Sequence, residues 1–339
     1  MEEKLGLQLS IIVPVYNVEK YIRPCMKSIF QQGLNEDCFE VIIVNDGTED
    51  HSMEVIQDII DQHKNIIVIN QENQGLSVAR NNGIAMAKGE YILMPDSDDM
   101  LIENSLKPLL EKALETKADM VTADYVSMSS EEFKVIKKSP VEQTAKPVFE
   151  ESTGQQMYVD HFLPYRSYIW RILFKRNFIL DNNIYFCPGI YFEDIPFTHE
   201  CYLKAKLCLK TSWRLNIYRI RHNSVSFPES FNRKKASNYC MAISLSWKLR
   251  NMEGLPPKLS DFISDKVFMS YNSLLQKLCY VFKNHSDRVA VLKELKQICP
   301  DLKFTNGFTQ KVHTYLFRTW PNIYIRLMMV ILRFKWSHN

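Results

Sequence analysis

The chain has 339 residues, of which 46% are apolar and 24% charged, with a formal net charge of +3. That length allows two or three domains around a sizeable core, and the composition excludes a disordered chain. The near-neutral balance argues against a dedicated nucleic-acid binder, which would be strongly basic, so no nucleic acid is expected as a partner.

Residues 9–13 (LSIIV) read as a short strand ended by Pro14. Helical spacing follows over 19–32, with Ile22, Met26, Ile29 and Phe30 on one stripe. A second β-branched run, 40–44 (EVIIV), closes on Asn45-Asp46-Gly47. The pattern then predicts a helix over 52–63, a strand over 66–70, a helix over 75–88, a strand over 90–94 and a helix over 103–117. The last apolar run of this series covers 119–126. Nearly continuous apolar strands separated by amphipathic helices imply an α/β fold with a largely parallel sheet covered on both faces. Its crossovers should be right-handed. Ligands in such sheets bind beyond the carboxyl ends of the strands, so the polar residues closing each strand are where function is sought.

Those ends read Pro14-Val15-Tyr16-Asn17, Asn45-Asp46-Gly47, Asn70 to Gly75, and Asp96-Ser97-Asp98-Asp99. The first turn lacks the glycines of a dinucleotide fingerprint, and no G-x-x-x-x-G-K-[ST] loop occurs. A pyrophosphate must therefore be neutralised by something other than a backbone nest. Alternating carboxylates at 96 and 98 can converge on one hard cation, and Mg2+ or Mn2+ prefer a few carboxylates plus substrate phosphates. Such an ion would hold diphosphate charge while a sugar–oxygen bond breaks. Asp99 has another reading, as a cap on the helix that follows.

The segments SIIVPVYNVEKYI (10–22), FEVIIVNDGTED (39–50) and ENQGLSVARNNGIAMAKGEYILMPDSDD (72–99) resemble the donor half of an inverting family-2 glycosyltransferase. The resemblance covers residues 9–126. It implies the GT-A fold, a mixed, mostly parallel sheet sandwiched by helices, here with a C-terminal helical extension. It implies that Pro14, Val15 and Tyr16 line a base pocket and that Asp46 accepts a hydrogen bond from the base imide, which favours uracil. Asn73, Gly75 and Arg80 would sit by the donor, with Arg80 near the sugar or its phosphate. Asp96 would hold ribose or sugar, with Ser97 beside it, and Asp98 would be the metal ligand. Each has a structural alternative: Tyr16 as a half-buried ring with its hydroxyl in water, Gly75 as a helix start or positive-φ turn, Arg80 as a surface ion-pair residue.

Residues 127–150 are polar and irregular and are expected near the acceptor side, and 153–182 read as helical and aromatic. Within them YIWRILFKRNFI (168–179) resembles the stretch that precedes the catalytic acid pair in bacterial members of the family. Trp170 there is either a sugar platform or a packing residue. The pair itself is Glu193-Asp194, followed by a helix over 195–206. Inversion by single displacement needs one carboxylate on the acceptor hydroxyl. By resemblance Asp194 is that base and Glu193 orients the acceptor; the alternative is a helix N-cap at Asp194. Residues 218–226 read as strand and turn, placing Arg219 and Arg221 on one side. The resemblance puts a basic residue here against the donor diphosphate, a task that suits the arginine fork. Arg221 is the first choice, then His222, then Arg219. His222 is alternatively a metal ligand or a surface histidine.

Residues 229–300 read as helical without a motif. Residues 311–339 carry Lys or Arg at 311, 318, 326, 333 and 335 and no acid, amid aromatic and aliphatic side chains. That mixture suits a helix lying in an anionic membrane interface; the alternative is a helix packed on the domain or in a dimer. No stretch is long and uncharged enough to span a bilayer, and the first residues are not a signal peptide. The eight cysteines form no C-x-x-C pair, which fits reduced thiols. The expected location is therefore cytoplasmic, peripheral on the inner face of the membrane.

Three parts emerge: a donor half over 1–126, an acceptor half with the base over 127–228, and a helical region over 229–339 with a surface helix at 311–339. The expected reaction moves a sugar from a UDP-sugar to a hydroxyl of a cell-envelope polysaccharide or lipid-linked glycan. A nucleotidyltransferase would show a glycine-rich, lysine-containing loop after the first strand. A non-catalytic carbohydrate or nucleotide module would not need Asp98 and Asp194 together.

Overall fold

The computed structural model describes residues 6–135, 143, 146–221 and 230–336. The first stretch runs β1 (Leu9–Val15), α1 (Ile22–Ile29), β2 (Phe39–Asp46), α2 (Gln57–Gln62), β3 (Ile66–Gln71), α3 (Leu76–Met86), β4 (Tyr91–Leu93), β5 (Met100–Leu101), α4 (Leu106–Thr116) and β6 (Met120–Ser129). Then come α5 (Ser130–Val135), β7 (Glu150–Ser152), α6 (Gly154–Asp160), β8 (Ile172–Lys175), α7 (Arg176–Asp181), α8 (Asp194–Lys204) and β9 (Cys208–Ile220). The rest is α9 (Arg233–Lys248), α10 (Pro257–Val281), α11 (His285–Ile298), α12 (Gly307–Thr319) and α13 (Pro321–Trp336).

The nine strands among the described residues join one mixed sheet in the order β3-β2-β1-β4-β8-β6-β9-β5, with β7 on β9. β1, β2, β3 and β4 are mutually parallel. β1 is buried along its whole length, as a strand covered on both faces must be. It does not stop at Pro14 as the sequence reading expected. At that level β1 pairs with β2 (Pro14↔Val44), while its ladder with β4 has already ended at Ile11↔Leu93. A residue without an N–H is tolerated where one neighbour is missing. The helical reading of 153–182 is also corrected. Residues 172–175 form β8, antiparallel to both β4 and β6. Four apolar residues carry no periodicity that separates strand from helix.

One face of the sheet packs Val13, Val41, Ile43 and Leu93 against Ile22 and Met26 of α1 and Leu106, Leu109 and Leu110 of α4. The turn from α3 into β4 is tied to β1 by a buried polar network. Ser10 Oγ donates to Glu40 Oε1 (2.6 Å) and accepts from Gly89 N (2.8 Å), and Lys88 N donates to the same Glu40 oxygen (2.6 Å). Gly89 sits so close to β1 that a Cβ there would lie 2.3 Å from the Leu9 carbonyl carbon. Only movement of the central strand relieves that overlap. Gly89→Ala is expected to destabilise the protein by about 3 kcal/mol, read as a lowered urea midpoint; an unchanged midpoint would reject this packing.

Two compact units are distinguished. The first combines residues up to Met157 with Tyr168–Gly189 and Cys201–Arg221, and holds the sheet. The second combines Tyr158–Ser167, Ile190–Glu200 and the chain beyond Arg221. Its core comprises Ile243 and Trp247 of α9, Val267, Tyr271 and Leu274 of α10, Leu292 of α11 and Phe317 of α12. The single helix expected at 311–339 is two helices, α12 and α13, divided at Trp320. Pro321 opens α13, where its missing N–H costs no hydrogen bond. The eight cysteines are all free thiols.

Candidate active site

The carboxyl ends of β1, β2 and β4 carry the strand-end residues named from the sequence. Pro14 and Val15 are buried, Val15 within the core, and Tyr16 is exposed. Asp46 is buried and clasps the loop after β3. Its Oδ1 accepts from Gln74 N (2.8 Å) and Gln71 Nε2 (2.7 Å), and its Oδ2 accepts from Gly75 N (2.9 Å). Gly47, with φ of 66°, allows this approach, since a Cβ there would lie 2.9 Å from Asn73 N. Asn73 is exposed. Gly75 (φ 88°) opens α3.

Arg80 of α3 is buried, which corrects its alternative reading as a surface ion-pair residue. Its Nη2 pairs with Asp96 Oδ1 at 2.8 Å, and its guanidinium lies over Phe186 (5.4 Å). Asp96, Asp98 and Asp99 present carboxylate oxygens that all lie within 4.8 Å of one another, with Ser97 buried between them. Asp98 Oδ2 meets Arg221 Nη2 at 2.5 Å. Asp99 caps no helix: β5 follows it, and its Oδ1 accepts from Arg219 N on β9 (2.8 Å). Burial, and then the Asp98 and Asp96 carboxylates, push Asp99 well above the ordinary carboxylate range. Its Oδ2 has no hydrogen-bond partner among the described residues.

Arg219 and Arg221 do lie on one side, as strand alternation requires. Both guanidinium groups sit over the Tyr21 ring, at 5.0 and 4.9 Å. Arg219 is further held by the Phe133 ring at 3.7 Å and donates from Nε to Asp98 O (2.9 Å). Desolvated stacking of this kind is worth about 1 kcal/mol per ring. Arg219 is thereby fixed as a buried strut, whereas Arg221 keeps a quarter of its side chain exposed. His222 lies outside the described residues. Tyr21 is the neighbour that the sequence reading did not single out; an aromatic just ahead of α1 was its only mark. Trp170 is buried and stacks with Tyr168 (5.0 Å) and Tyr218 (5.7 Å), which also stack with each other (6.2 Å), while Tyr125 is edge-on to it (5.1 Å). It is a packing residue and offers no platform.

Glu193 and Asp194 belong to the second unit. Asp194 is the first residue of α8 and Glu193, just before it, is buried. A carboxylate in the first turn faces the positive end of the helix dipole. Phe192 adopts φ of 65°, a left-handed conformation that costs a bulky residue about 1–3 kcal/mol. Its ring is held edge-on to Tyr239 at 4.7 Å. His199, farther along α8, is no rival base: burial, and then Lys266, push its pKa down to about 3, and its Nδ1 is engaged by Tyr158 Oη at 2.8 Å.

Hard oxygen donors converging at a strand end fit a divalent cation of the Mg2+ or Mn2+ type, with Asp98 and Asp96 the more accessible ligands and the unmatched Asp99 oxygen beneath them.

Comparison with known proteins gives the same direction. The sequence profile described as Glycosyl transferase family 2 matches residues 10–179. The uncharacterized glycosyltransferase YibD of Escherichia coli (strain K12) is 30% identical over 321 residues, covering 91% of this chain and 87% of YibD. The uncharacterized glycosyltransferase EpsJ of Bacillus subtilis (strain 168) is 34% identical over 219 residues, covering 64% of this chain and spanning 62% of EpsJ. Among solved structures, S. aureus TarS 1–349 in complex with UDP-GlcNAc has the same fold, with a TM-score of 0.74 at 20% identity over 96% of this chain and 92% of that one.

Proposed function

The chain belongs to glycosyl transferase family 2, and from that premise we propose that it transfers a sugar, with inversion, from a UDP-sugar to a hydroxyl of a cell-envelope polysaccharide or lipid-linked glycan. The observation that carries this reading is the triad of carboxylates at the end of β4 meeting three arginines from α3 and the end of β9. Asp98, with Asp96, would hold Mg2+ or Mn2+, which supplies Lewis-acid neutralisation of a departing diphosphate. Arg221 would exchange its carboxylate partner for a phosphate oxygen, a trade that suits a permanently charged bidentate donor. Arg80 holds Asp96 in place for the ribose or sugar hydroxyls. Asp46 spends three of its acceptor sites on the loop Gln71–Gly75 and keeps one on Oδ2 for a base imide. The uracil preference is supported by the fold shared with TarS, a protein crystallised with UDP-GlcNAc. Asp194 then takes the proton of the attacking hydroxyl.

A lipid-linked acceptor is met at a membrane, so the reading includes a peripheral seat on the cytoplasmic face. Among the described residues no helix is long and apolar enough to cross a bilayer. The experiment is a hydrolysis screen of UDP-, GDP- and CMP-sugars with Mg2+ and with Mn2+. One UDP-sugar is expected to be hydrolysed slowly, and a chelator should stop it. Hydrolysis confined to a GDP- or CMP-sugar would remove the uracil assignment, and equal hydrolysis with chelator would remove the cation.

A further inference from the structure

The outward faces of α12 and α13 have the wrong chemistry for water. A helix packed on a domain keeps its polar residues on the solvent side. In α13 the solvent side is Ile323, Leu327, Val330 and Ile331, at helical spacing i, i+4, i+7 and i+8, with Ile323 54% and Val330 53% exposed. The opposite face is already used: Tyr324, Ile325 and Met328 are buried in the second unit. Tyr324 Oη meets His313 Nδ1 at 2.5 Å, fixing α13 on α12. The exposed side of α13 therefore carries a row of aliphatic side chains that the second unit does not cover.

The stripe continues on α12. Phe308, Val312 and Tyr315 stand at i, i+4 and i+7 on its exposed side, Phe308 being 84% exposed. Tyr315 reaches Trp320, itself 52% exposed, with ring centroids 6.5 Å apart, so the two stripes join at the bend. The charges within the patch have one sign. Lys311 and Arg326 are exposed in the same stripes, and no Asp or Glu occurs between residues 307 and 336.

We propose that this joined face of α12 and α13 is a lipid-binding surface that lies on an anionic bilayer. It deepens the peripheral seat of the proposed function and rests on that reading only for the identity of the membrane. Exposed aliphatic side chains, aromatic rings where the two stripes meet and cations without acids match the layers of an anionic interface, where apolar side chains enter the acyl boundary and basic ones meet headgroup phosphates. A second copy of the chain fits less well. A two-fold contact through this face would bring Lys311 and Arg326 of both copies into one interface with no acid in the patch to answer them.

The test is flotation of the full chain with phosphatidylglycerol–phosphatidylcholine vesicles against phosphatidylcholine alone, with light scattering and UDP-sugar hydrolysis measured on the same preparations. The wild type should float with the anionic vesicles, and less at high salt. The triple variant Ile323→Ser/Leu327→Ser/Val330→Ser should lose about 100-fold or more of its partition constant. Lys311→Gln/Arg326→Gln should lose the preference for anionic over neutral vesicles; its altered side chains are at the surface, so it tests the face even if the triple variant folds poorly. Equal flotation of the triple variant and wild type overturns the proposal. So does a dimer that the triple variant dissolves in the absence of any flotation. Hydrolysis reports the transferase reading separately: a wild type that hydrolyses its donor but does not float sinks the lipid surface alone.

Discussion

Asp194→Asn is expected to lower sugar transfer by about 1,000-fold while leaving UDP affinity within about twofold. Asn keeps the shape of the side chain and its acceptor oxygen, but its amide cannot take a proton at neutral pH. The substitution leaves the bond from Thr198 Oγ1 to the backbone oxygen of Asp194 (2.6 Å) in place. The lost charge at the start of α8 costs stability of only about 0.5 kcal/mol through the helix dipole. Transfer should therefore collapse in a folded protein. Titration calorimetry with UDP, a melting curve and acceptor-dependent UDP release separate the three effects. Normal turnover would reject Asp194 as the base; a large fall in melting temperature would make its role structural.

Asp98→Ala acts on the other carboxylate group. With Mn2+ or Mg2+ present, UDP affinity should fall by about 100-fold, in line with the loss of one carboxylate that would hold a cation neutralising the diphosphate. Without a divalent ion the sign should differ. Asp98 is the ion-pair partner of Arg221 at 2.5 Å, so the variant releases that guanidinium. UDP then binds the metal-free variant at least as well as the metal-free wild type. Calorimetry with and without chelator reads both halves. Equal UDP affinity of variant and wild type in saturating Mn2+ would dismiss Asp98 as a ligand.

The donor half was legible because its strands are nearly pure aliphatic runs and its polar residues stand at their ends. Asp46 closes β2 against the loop after β3, and Asp96 stands at the end of β4 paired with Arg80. The roles of the arginines were less legible. Arg219 ranked last as a diphosphate ligand, and its tie to Asp99 joins residues 120 positions apart; no local pattern encodes a contact at that range. Asp99 looked like a cap because carboxylates before helices usually are caps, yet two residues of β5 intervene before Ile102. β8 was hidden by its brevity. The break between α12 and α13 was open to sequence reading, since Pro321 is visible in it, but the surrounding apolar residues gave one continuous stripe.

Pro14 has a consequence for the geometry of the sheet. β1 and β4 are hydrogen-bonded only from Leu9↔Tyr91 to Ile11↔Leu93. β2 and β3 extend the sheet to one side of β1, and β4 lies on the other, so the direction of winding reverses between β1 and β4. Beyond Leu93 the two strands part company, and Pro14 removes an amide donor from the stretch where they would have to rejoin. The parting of β1 and β4 ahead of the acidic turn is thus written into the backbone. It would survive the loss of any one of the charged side chains around it.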